Sequence, residues 1–186
     1  AGAMPLGVAA LDDAMPDGGL PLGAVHSLAA ADHPDLPLPL RLAPVLGFAA
    51  YLAGRIGTHL SQKSDQQAGP VLWITPERTL YGPGLGRFGL PPTRLSVVYC
   101  AEASDRLWAC EQALRVSGLT AVVAEIDRLE PVSARRLQLA AEGSGITALA
   151  ILRKDQPAPP GGTAHWRIAS SARGGLSVAL QRIRGG

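Results

Sequence analysis

The sequence predicts an α/β fold, in which a mainly parallel sheet is flanked by helices and ends in an antiparallel hairpin. Three observations lead to this prediction. Apolar, β-branched runs recur along the chain with helical segments between them. Four of these runs are almost wholly apolar, which is typical of strands buried on both faces of a parallel sheet. The last two runs instead alternate apolar and polar residues, as the strands of a half-solvated hairpin do.

The predicted elements alternate along the chain as strand and helix. Strands are predicted at residues 23–30, 71–75, 95–100, 119–126 and 146–152. Helices are predicted at 45–60 after a proline-rich stretch, at 104–117 with Ser104 as N-cap and Gly118 as stop, and at 131–142 before Gly143. The hairpin joins residues 164–170 to 176–183. Ligands of such sheets usually bind at the carboxyl ends of the strands, so chemistry is expected in the loops there.

Length and composition indicate one folded domain, residues 1–186, in the cytoplasm. With 186 residues, 47% hydrophobic and 17% charged, the chain can form a core and has too few charges for disorder. No run approaches the roughly 20 apolar residues that cross a bilayer, and no leader pattern opens the chain, so no membrane contact is expected. Residues 1–4 look like a cloning remnant. Cys100 and Cys110 are too few for a disulfide framework or a four-ligand zinc site.

The end of the chain is basic. Residues 151–186 have a net charge of +5, so residues 1–150 sum to −3 of the total +2. Most of the basic residues are arginines, which suit bidentate pairing with carboxylates and phosphates. This end is therefore a candidate docking surface for a phosphate backbone or an acidic protein, although an ordinary solvated face is the preferred interpretation of the charge alone. Its charged residues are Arg153, Lys154, Arg167, Arg173, Arg182 and Arg184, against Asp155.

Nucleotide-binding motifs are missing where such a sheet would hold them. A P-loop follows the first strand with glycines and a lysine, but residues 29–37 contain neither and include two acids that would repel phosphate. Partial matches at 57–64 and 84–89 fall in a helix end and in a turn-rich connection. No cofactor is therefore predicted. His33 beside Asp32 and Asp35 could form a weak metal cluster, but a solvated loop is the preferred interpretation, and no metal is predicted.

Carboxylates at strand ends are the groups from which a nucleotide hydrolase would take its catalytic residues. Glu77 follows the second strand, and Glu125 and Asp127 end the fourth. Without a phosphate-binding loop we expect them to form caps and ion pairs, so no catalytic residue is predicted. If the protein were an ATPase, Glu77 and Asp127 would be its catalytic residues.

The tryptophans have a bearing on partner contacts. Trp73 and Trp108 fall inside a predicted strand and helix and are expected in the core. Trp166, beside Arg167 on the alternating hairpin, is the one candidate for an exposed contact, although half-buried packing is the preferred interpretation.

Ordered segments of the chain resemble RecA-type recombinases. Residues 6–28 resemble the entry to the recombinase core, and residues 73–90 the next block, in which Glu77 matches the glutamate that positions water in the ATPase. A closer resemblance is to the ImuA family of SOS mutagenesis proteins, also described as SulA-like. It rests on the runs YGPGLGRFGLPPTRL, LWACEQALRVSGLTAVVAE and SARRLQLAAEGSGITAL and on the ending from WR to RGG, and it covers most of residues 6–186.

This resemblance implies a RecA-like fold and a role in translesion mutagenesis beside ImuB, an inactive relative of the Y-family polymerases. It further implies RecA and an error-prone C-family polymerase as partners. The missing P-loop departs from the recombinase pattern, and the absent N-terminal arm and the ending at Gly186 suggest that native extensions are trimmed.

We therefore expect a non-catalytic RecA-like adaptor that binds an ImuB-like partner. The alternatives are a DNA-dependent ATPase, a direct nucleic-acid binder and a cell-division inhibitor. The residues expected to bind the partner are Trp166, Arg167, Arg173, Arg182 and Arg184.

Overall fold

A computed structural model describes residues 2–31, 35–64 and 67–184. Its strands are β1 (Ala3–Met4), β2 (Leu20–Pro21), β3 (Val25–Ala30), β4 (Val71–Thr75), β5 (Leu95–Tyr99), β6 (Ala121–Ile126), β7 (Thr147–Leu152), β8 (Ala164–Ser170) and β9 (Leu176–Ile183). β1 and β2 form a small antiparallel ribbon, and the other seven form one sheet in the order β5-β4-β6-β7-β3-β8-β9. All neighbours in this sheet are parallel except β8 and β9. The predicted α/β architecture, a mainly parallel sheet flanked by helices with an antiparallel hairpin at one edge, is confirmed.

Helices cover both faces of the sheet. They are α1 (Ala9–Asp12), α2 (Leu38–Lys63), α3 (Gly82–Leu85), α4 (Ala103–Ala113) and α5 (Pro131–Ser144), with 3-10 turns at Pro16–Gly18, Gly86–Phe88 and Pro92–Arg94. α2 packs on one face, where Phe48 and Ile56 share a core with Trp73. α4 and α5 pack on the other, where Cys110 and Leu137 join a second core. Because both faces are covered, β3, β6 and β7 are buried along their whole length.

The longest helix begins earlier than predicted. α2 starts at Leu38 rather than at residue 45, although prolines stand at its start and inside it. Pro39 fits the first turn, where a helix needs no backbone N–H. Pro44 removes one hydrogen bond, and the burial of twelve α2 residues compensates for that loss. Within the described residues, no helix is long and apolar enough to cross a membrane.

Other boundaries differ by a few residues. β4, β8 and β9 have the predicted bounds, and the remaining strands of the large sheet are one or two residues shorter. α4 begins after Glu102 without any side-chain cap, so Ser104 is not its N-cap, and it ends at Ala113. α5 continues to Ser144 because Gly145, not Gly143, adopts the left-handed conformation that ends it, with φ 77°.

Two strands and two tryptophans lie elsewhere than predicted. β5 has the composition of a doubly buried strand but is an edge strand, paired only with β4. β8 lies beside β3 and is mostly buried, so only β9 shows the half-solvated alternation. Trp166 on β8 is fully buried, with its ring 5.7 Å from Phe48, so it packs in the core as preferred and the candidate exposed contact there is wrong. Trp108 on α4 is 64% exposed, so its predicted core position is wrong too.

Candidate functional site

The carboxyl ends of the central strands carry a charged cluster. β4, β6 and β7 are neighbours in the sheet, which brings together Glu77 after β4, Glu125 in β6 and Arg153 after β7. Arg153 Nη2 donates to Glu77 Oε1 at 2.9 Å, and its Nη1 donates to Glu125 Oε2 at 2.9 Å. Trp73 Nε1 donates to the other oxygen of Glu125 at 3.3 Å. One arginine therefore pairs with both carboxylates.

A second cluster joins the ends of β5 and β6. Arg106 on α4 is buried, and its Nη2 donates to Asp127 Oδ1 at 2.7 Å. Lys154 Nζ lies 3.0 Å from the other oxygen of Asp127. Burial alone would raise the pKa of Asp127, but Lys154 and Arg106 outweigh burial and hold that pKa below its usual value. Asp127 is therefore an ionised carboxylate with both oxygens occupied. Arg106 also donates to the backbone carbonyls of Cys100, Ala101 and Glu125.

The sequence prediction does not include Arg106. This residue stands at i, with Cys110 at i+4 and Ala113 at i+7, and all three are buried. Arg106 could have been identified from the sequence, because it is an arginine on the apolar side of a helix that directly follows a strand.

A third set of contacts closes the end of β3. Arg167 Nη1 donates to Ala30 O at 2.8 Å and to Asp155 Oδ1 at 2.7 Å, and its Nη2 donates to Gln156 O at 3.1 Å. The hydrogen bond from Arg167, opposed by burial, lowers the pKa of Asp155. The space left between this strand end, Arg41 and Asp155 is about 10 Å³, at the limit of what holds one water.

Part of the predicted loop cannot be placed. Residues 32–34 lie outside the described residues, and with them Asp32 and His33 of the weak metal cluster. Across the described part of the chain, no group of three or more His, Cys, Asp or Glu could hold a metal. The partial match at 57–64 is helical up to Lys63, and that at 84–89 forms two short turns ending at Gly89, with φ 89°. Neither opens a helix from a strand end, as a nucleotide-binding loop must.

An apolar groove lies beside the Arg153 cluster. It has a volume of about 570 Å³ between the start of α2 and the segment that follows β4. Such a groove accepts apolar side chains, and the carboxylates at its polar end are already paired with arginine. Its lining includes Leu38, Leu42, Leu46, Leu80 and Leu85, with Glu77, Glu125 and Arg153 at the polar end.

The five predicted partner-binding residues fall into two groups. Trp166 is buried, and the Arg167 side chain is 14% exposed and is held by Asp155 and backbone carbonyls. Arg173, Arg182 and Arg184 are exposed. Arg182 donates to a backbone carbonyl at 3.3 Å, and Arg184 lies 3.4 Å from a carboxylate of α5. The hairpin therefore presents three arginines to solvent.

Comparison with known proteins identifies a family. No family model matches the chain. The crystal structure of SulA from Pseudomonas aeruginosa aligns with a TM-score of 0.48 and 22% identity, over 71% of this chain and 98% of that one. Protein ImuA of Caulobacter vibrioides, in strains NA1000 / CB15N and ATCC 19089 / CIP 103742 / CB 15, is 30% identical over 201 aligned positions. The alignment covers 97% of this chain and 78% of the relative, and on that similarity the chain belongs to the ImuA family.

Proposed function

We propose that this ImuA-family protein is a non-catalytic adaptor in SOS-induced, error-prone translesion DNA synthesis in the cytoplasm. It binds an ImuB-like protein, an inactive relative of the Y-family polymerases, within an assembly called a mutasome. RecA and an error-prone C-family polymerase are the further partners in this proposal. Membership in the ImuA family supports the link to SOS mutagenesis.

The pairing of both candidate catalytic carboxylates carries the non-catalytic part of the proposal. Glu77 is bonded to Arg153, and Asp127 to Arg106 and Lys154. A nucleotide hydrolase needs such carboxylates to orient water or hold magnesium beside a bound phosphate. Here arginine and lysine occupy them, and Arg167 closes the neighbouring strand end. These contacts support a scaffold role for this edge of the sheet.

The exposed arginines of the hairpin support the binding part of the proposal. Residues 156–184 contain no Asp or Glu, so the hairpin is basic, with Arg173 in its turn and with Arg182 and Arg184 at the opposite end of the edge strand β9. Exposed guanidiniums pair well with carboxylates. We therefore place an acidic surface of the ImuB-like partner against this hairpin.

A nucleotide titration tests the non-catalytic role. The purified chain is titrated with a fluorescent ATP analogue with and without magnesium, and phosphate release is then measured. We expect no saturable binding at millimolar nucleotide and no release above buffer. Magnesium-dependent binding with phosphate release that is lost in Glu77→Gln would contradict the proposal and support the ATPase alternative.

A binding assay tests the adaptor role. The chain is immobilised and titrated with a purified ImuB-like protein. We expect wild-type binding, and weakening of about tenfold in the double variant Arg173→Glu/Arg182→Glu because two favourable charge pairs become repulsive. The exposed Arg87→Glu, which lies in the 3-10 turn Gly86–Phe88, is the matched control and should bind like the wild type. Absence of wild-type binding would refute the adaptor role.

A further inference from the structure

We infer that a cleft between α4 and α5 receives an apolar segment of the ImuB-like partner that also carries carboxylates. This α4–α5 cleft is bounded by Glu111, Leu114 and Arg115 at the end of α4, and by Arg136, Leu139 and Gly143 on α5. It is open to solvent and has a volume of about 480 Å³. The inference rests on the proposed adaptor function and names the surface and the chemistry of the contact.

The α4–α5 cleft has a buried floor and an open space, the slot, beside Gly143. Leu114 is buried in the core beneath α4 and α5, which fixes the floor. Glu111 bridges the two helices through ion pairs with Arg115 and Arg136. Gly143 lies on the wall, and a Cβ added there would meet no atom within 4 Å. The space beside Gly143 is therefore open.

Large apolar side chains of the two helices face water around the cleft. Trp108 stands three residues before Glu111, and Val132 stands four residues before Arg136, so each shares a helix side with its charged neighbour. The contact between Glu111 and Arg136 sets these two turns side by side, so Trp108 and Val132 each lie about one turn before a residue that lines the cleft. Both are exposed, as is Leu139.

Trp108 also belongs to the run LWACEQALRVSGLTAVVAE, on which the family resemblance rests, yet the core does not use its side chain. Exposed tryptophan beside arginine is the composition of an interface hot spot.

The charges of the cleft favour a carboxylate-bearing occupant. Arg115 and Arg136 are 63% and 61% exposed, and both pair with the single carboxylate of Glu111, which is 10% exposed. The three groups together carry a charge of +1, and guanidinium donors are left facing solvent. An incoming carboxylate gains bidentate pairing there while an apolar neighbour fills the slot.

The surface favours protein over nucleic acid. A polyphosphate needs a basic excess over the whole contact region. The two helices, the residues preceding them and Arg115 after α4 have five acids and four arginines, one of which is buried, so no such excess exists. The acids are Glu102, Asp105, Glu111, Glu130 and Glu142, and the arginines are Arg106, Arg115, Arg135 and Arg136.

The cleft continues into the basic hairpin. Arg184, at the end of β9, lies 3.4 Å from Glu142, which precedes Gly143 on α5. A partner that covers Arg182 and Arg184 therefore reaches the Gly143 end of the cleft without leaving the surface. A single partner can therefore contact the end of the hairpin and the α4–α5 cleft at the same time.

The test follows binding of purified ImuB-like protein to the full chain by tryptophan fluorescence. Trp73 and Trp166 are buried, so an emission shift that occurs with the wild type and is lost with Trp108→Ala reports on Trp108. We expect a blue shift on binding, and a Kd raised about 30-fold in Trp108→Ala. Tyr81→Ala removes an aromatic ring of similar exposure from the segment after β4 and should leave the Kd unchanged.

Gly143→Leu tests the slot without removing any contact. Its side chain fills open space and suits a helix better than glycine, so the variant should melt at a higher temperature yet bind at least tenfold more weakly. Arg115→Gln and Arg136→Gln each leave one arginine on Glu111, so the variants should fold and should each bind severalfold more weakly.

Distinct outcomes separate the two proposals. If the wild type does not bind the ImuB-like protein, the adaptor function itself fails. If it binds and the four cleft variants match the wild type, only the cleft inference is overturned and the hairpin contact stands. Quenching of Trp108 by a single-stranded oligonucleotide with the same dependence on these variants would assign the cleft to nucleic acid. Loss of a wild-type dimer in Trp108→Ala would assign it to a second copy, and either result overturns the inference.

Discussion

The guanidinium of Arg153 lies 2.9 Å from the carboxylate of Glu77, the residue that a recombinase-like ATPase would use to position water. The same guanidinium lies 2.9 Å from Glu125. The two carboxylates differ in environment, because the side chain of Glu125 is 6% exposed and that of Glu77 is 54% exposed. Arg153 therefore serves chiefly to neutralise the buried charge of Glu125. Its second ion pair, with Glu77, lies at the surface and contributes less.

Substitutions at Arg153 and at Glu77 should lower the free energy of unfolding by different amounts. Arg153→Met leaves Glu125 buried without its cation, and we expect it to lower the free energy of unfolding by about 3 kcal/mol. Glu77→Gln breaks only the exposed pair and should cost at most about 1 kcal/mol. Urea denaturation of the two variants and the wild type gives both values. Equal losses would show that Glu125 does not depend on Arg153.

Stability should fall with pH below neutrality because of two buried histidines. Burial lowers the pKa of His26 to about 4, against a hydrogen bond to Pro21 O that raises it. Burial, followed by the charge of Arg167, lowers the pKa of His165 to about 4. Both histidines are neutral in the fold but have a pKa of 6.5 in the unfolded chain, which therefore binds more protons between pH 6.5 and 4. Their stabilising contribution is present above pH 6.5 and is lost as pH falls.

Denaturation curves at intervals from pH 7 to pH 4 measure this effect. Each histidine should contribute a slope of up to about 1.4 kcal/mol per pH unit in that window. His26→Gln and His165→Gln should each flatten the curve, and the double variant should flatten it most. Asp127 and Asp155, whose pKa values lie below 3.8, contribute their losses at more acidic pH. A slope unchanged in the double variant would assign the effect to other groups.

Two helical glycines should respond to alanine in opposite directions. A Cβ at Gly54 in α2 would overlap the carbonyl oxygen of Gly89 and lie 2.6 Å from its carbon. Gly54→Ala should therefore destabilise the fold by about 1–3 kcal/mol despite its better helix propensity. Gly143→Ala meets no neighbour within 4 Å and should stabilise the fold by about 0.5–1 kcal/mol. Thermal melts of both variants compare the two, and a stabilised Gly54→Ala would mean that the two backbones can separate.

Local patterns predicted the strands well because burial on one or two faces determines which residues can stand in them. β4, β8 and β9 have the predicted bounds for this reason. The same patterns could not place β5 at the edge, since strand order depends on pairing between distant segments. The prolines before residue 45 indicate a non-helical segment, although α2 already begins at Leu38. Whether a helix tolerates a proline depends on how much of the rest of the helix is buried, which the local sequence does not show.

The candidate site was predictable only in part. Glu77, Glu125 and Asp127 were located at strand ends, and ion pairs were the preferred interpretation of them. Their partners depend on β4, β6 and β7 being neighbours, which no local pattern encodes. Trp108 was misplaced because its neighbours in α4 are apolar and the side of the helix facing the sheet cannot be read from one position.

The two cysteines should differ in reactivity. Cys110 is buried beneath α4, and burial together with the nearby charge of Glu111 raises its pKa to about 12, so almost no thiolate forms at neutral pH. Cys100, at the end of β5, is partly exposed. Labelling of the folded chain with iodoacetamide, followed by mass spectrometry, should modify Cys100 first and Cys110 only after denaturant is added. The fast phase should disappear in Cys100→Ala and persist in Cys110→Ala, since the latter removes a thiol that the fold protects. Labelling of both thiols at one rate in the folded chain would mean that α4 opens faster than the reagent reacts.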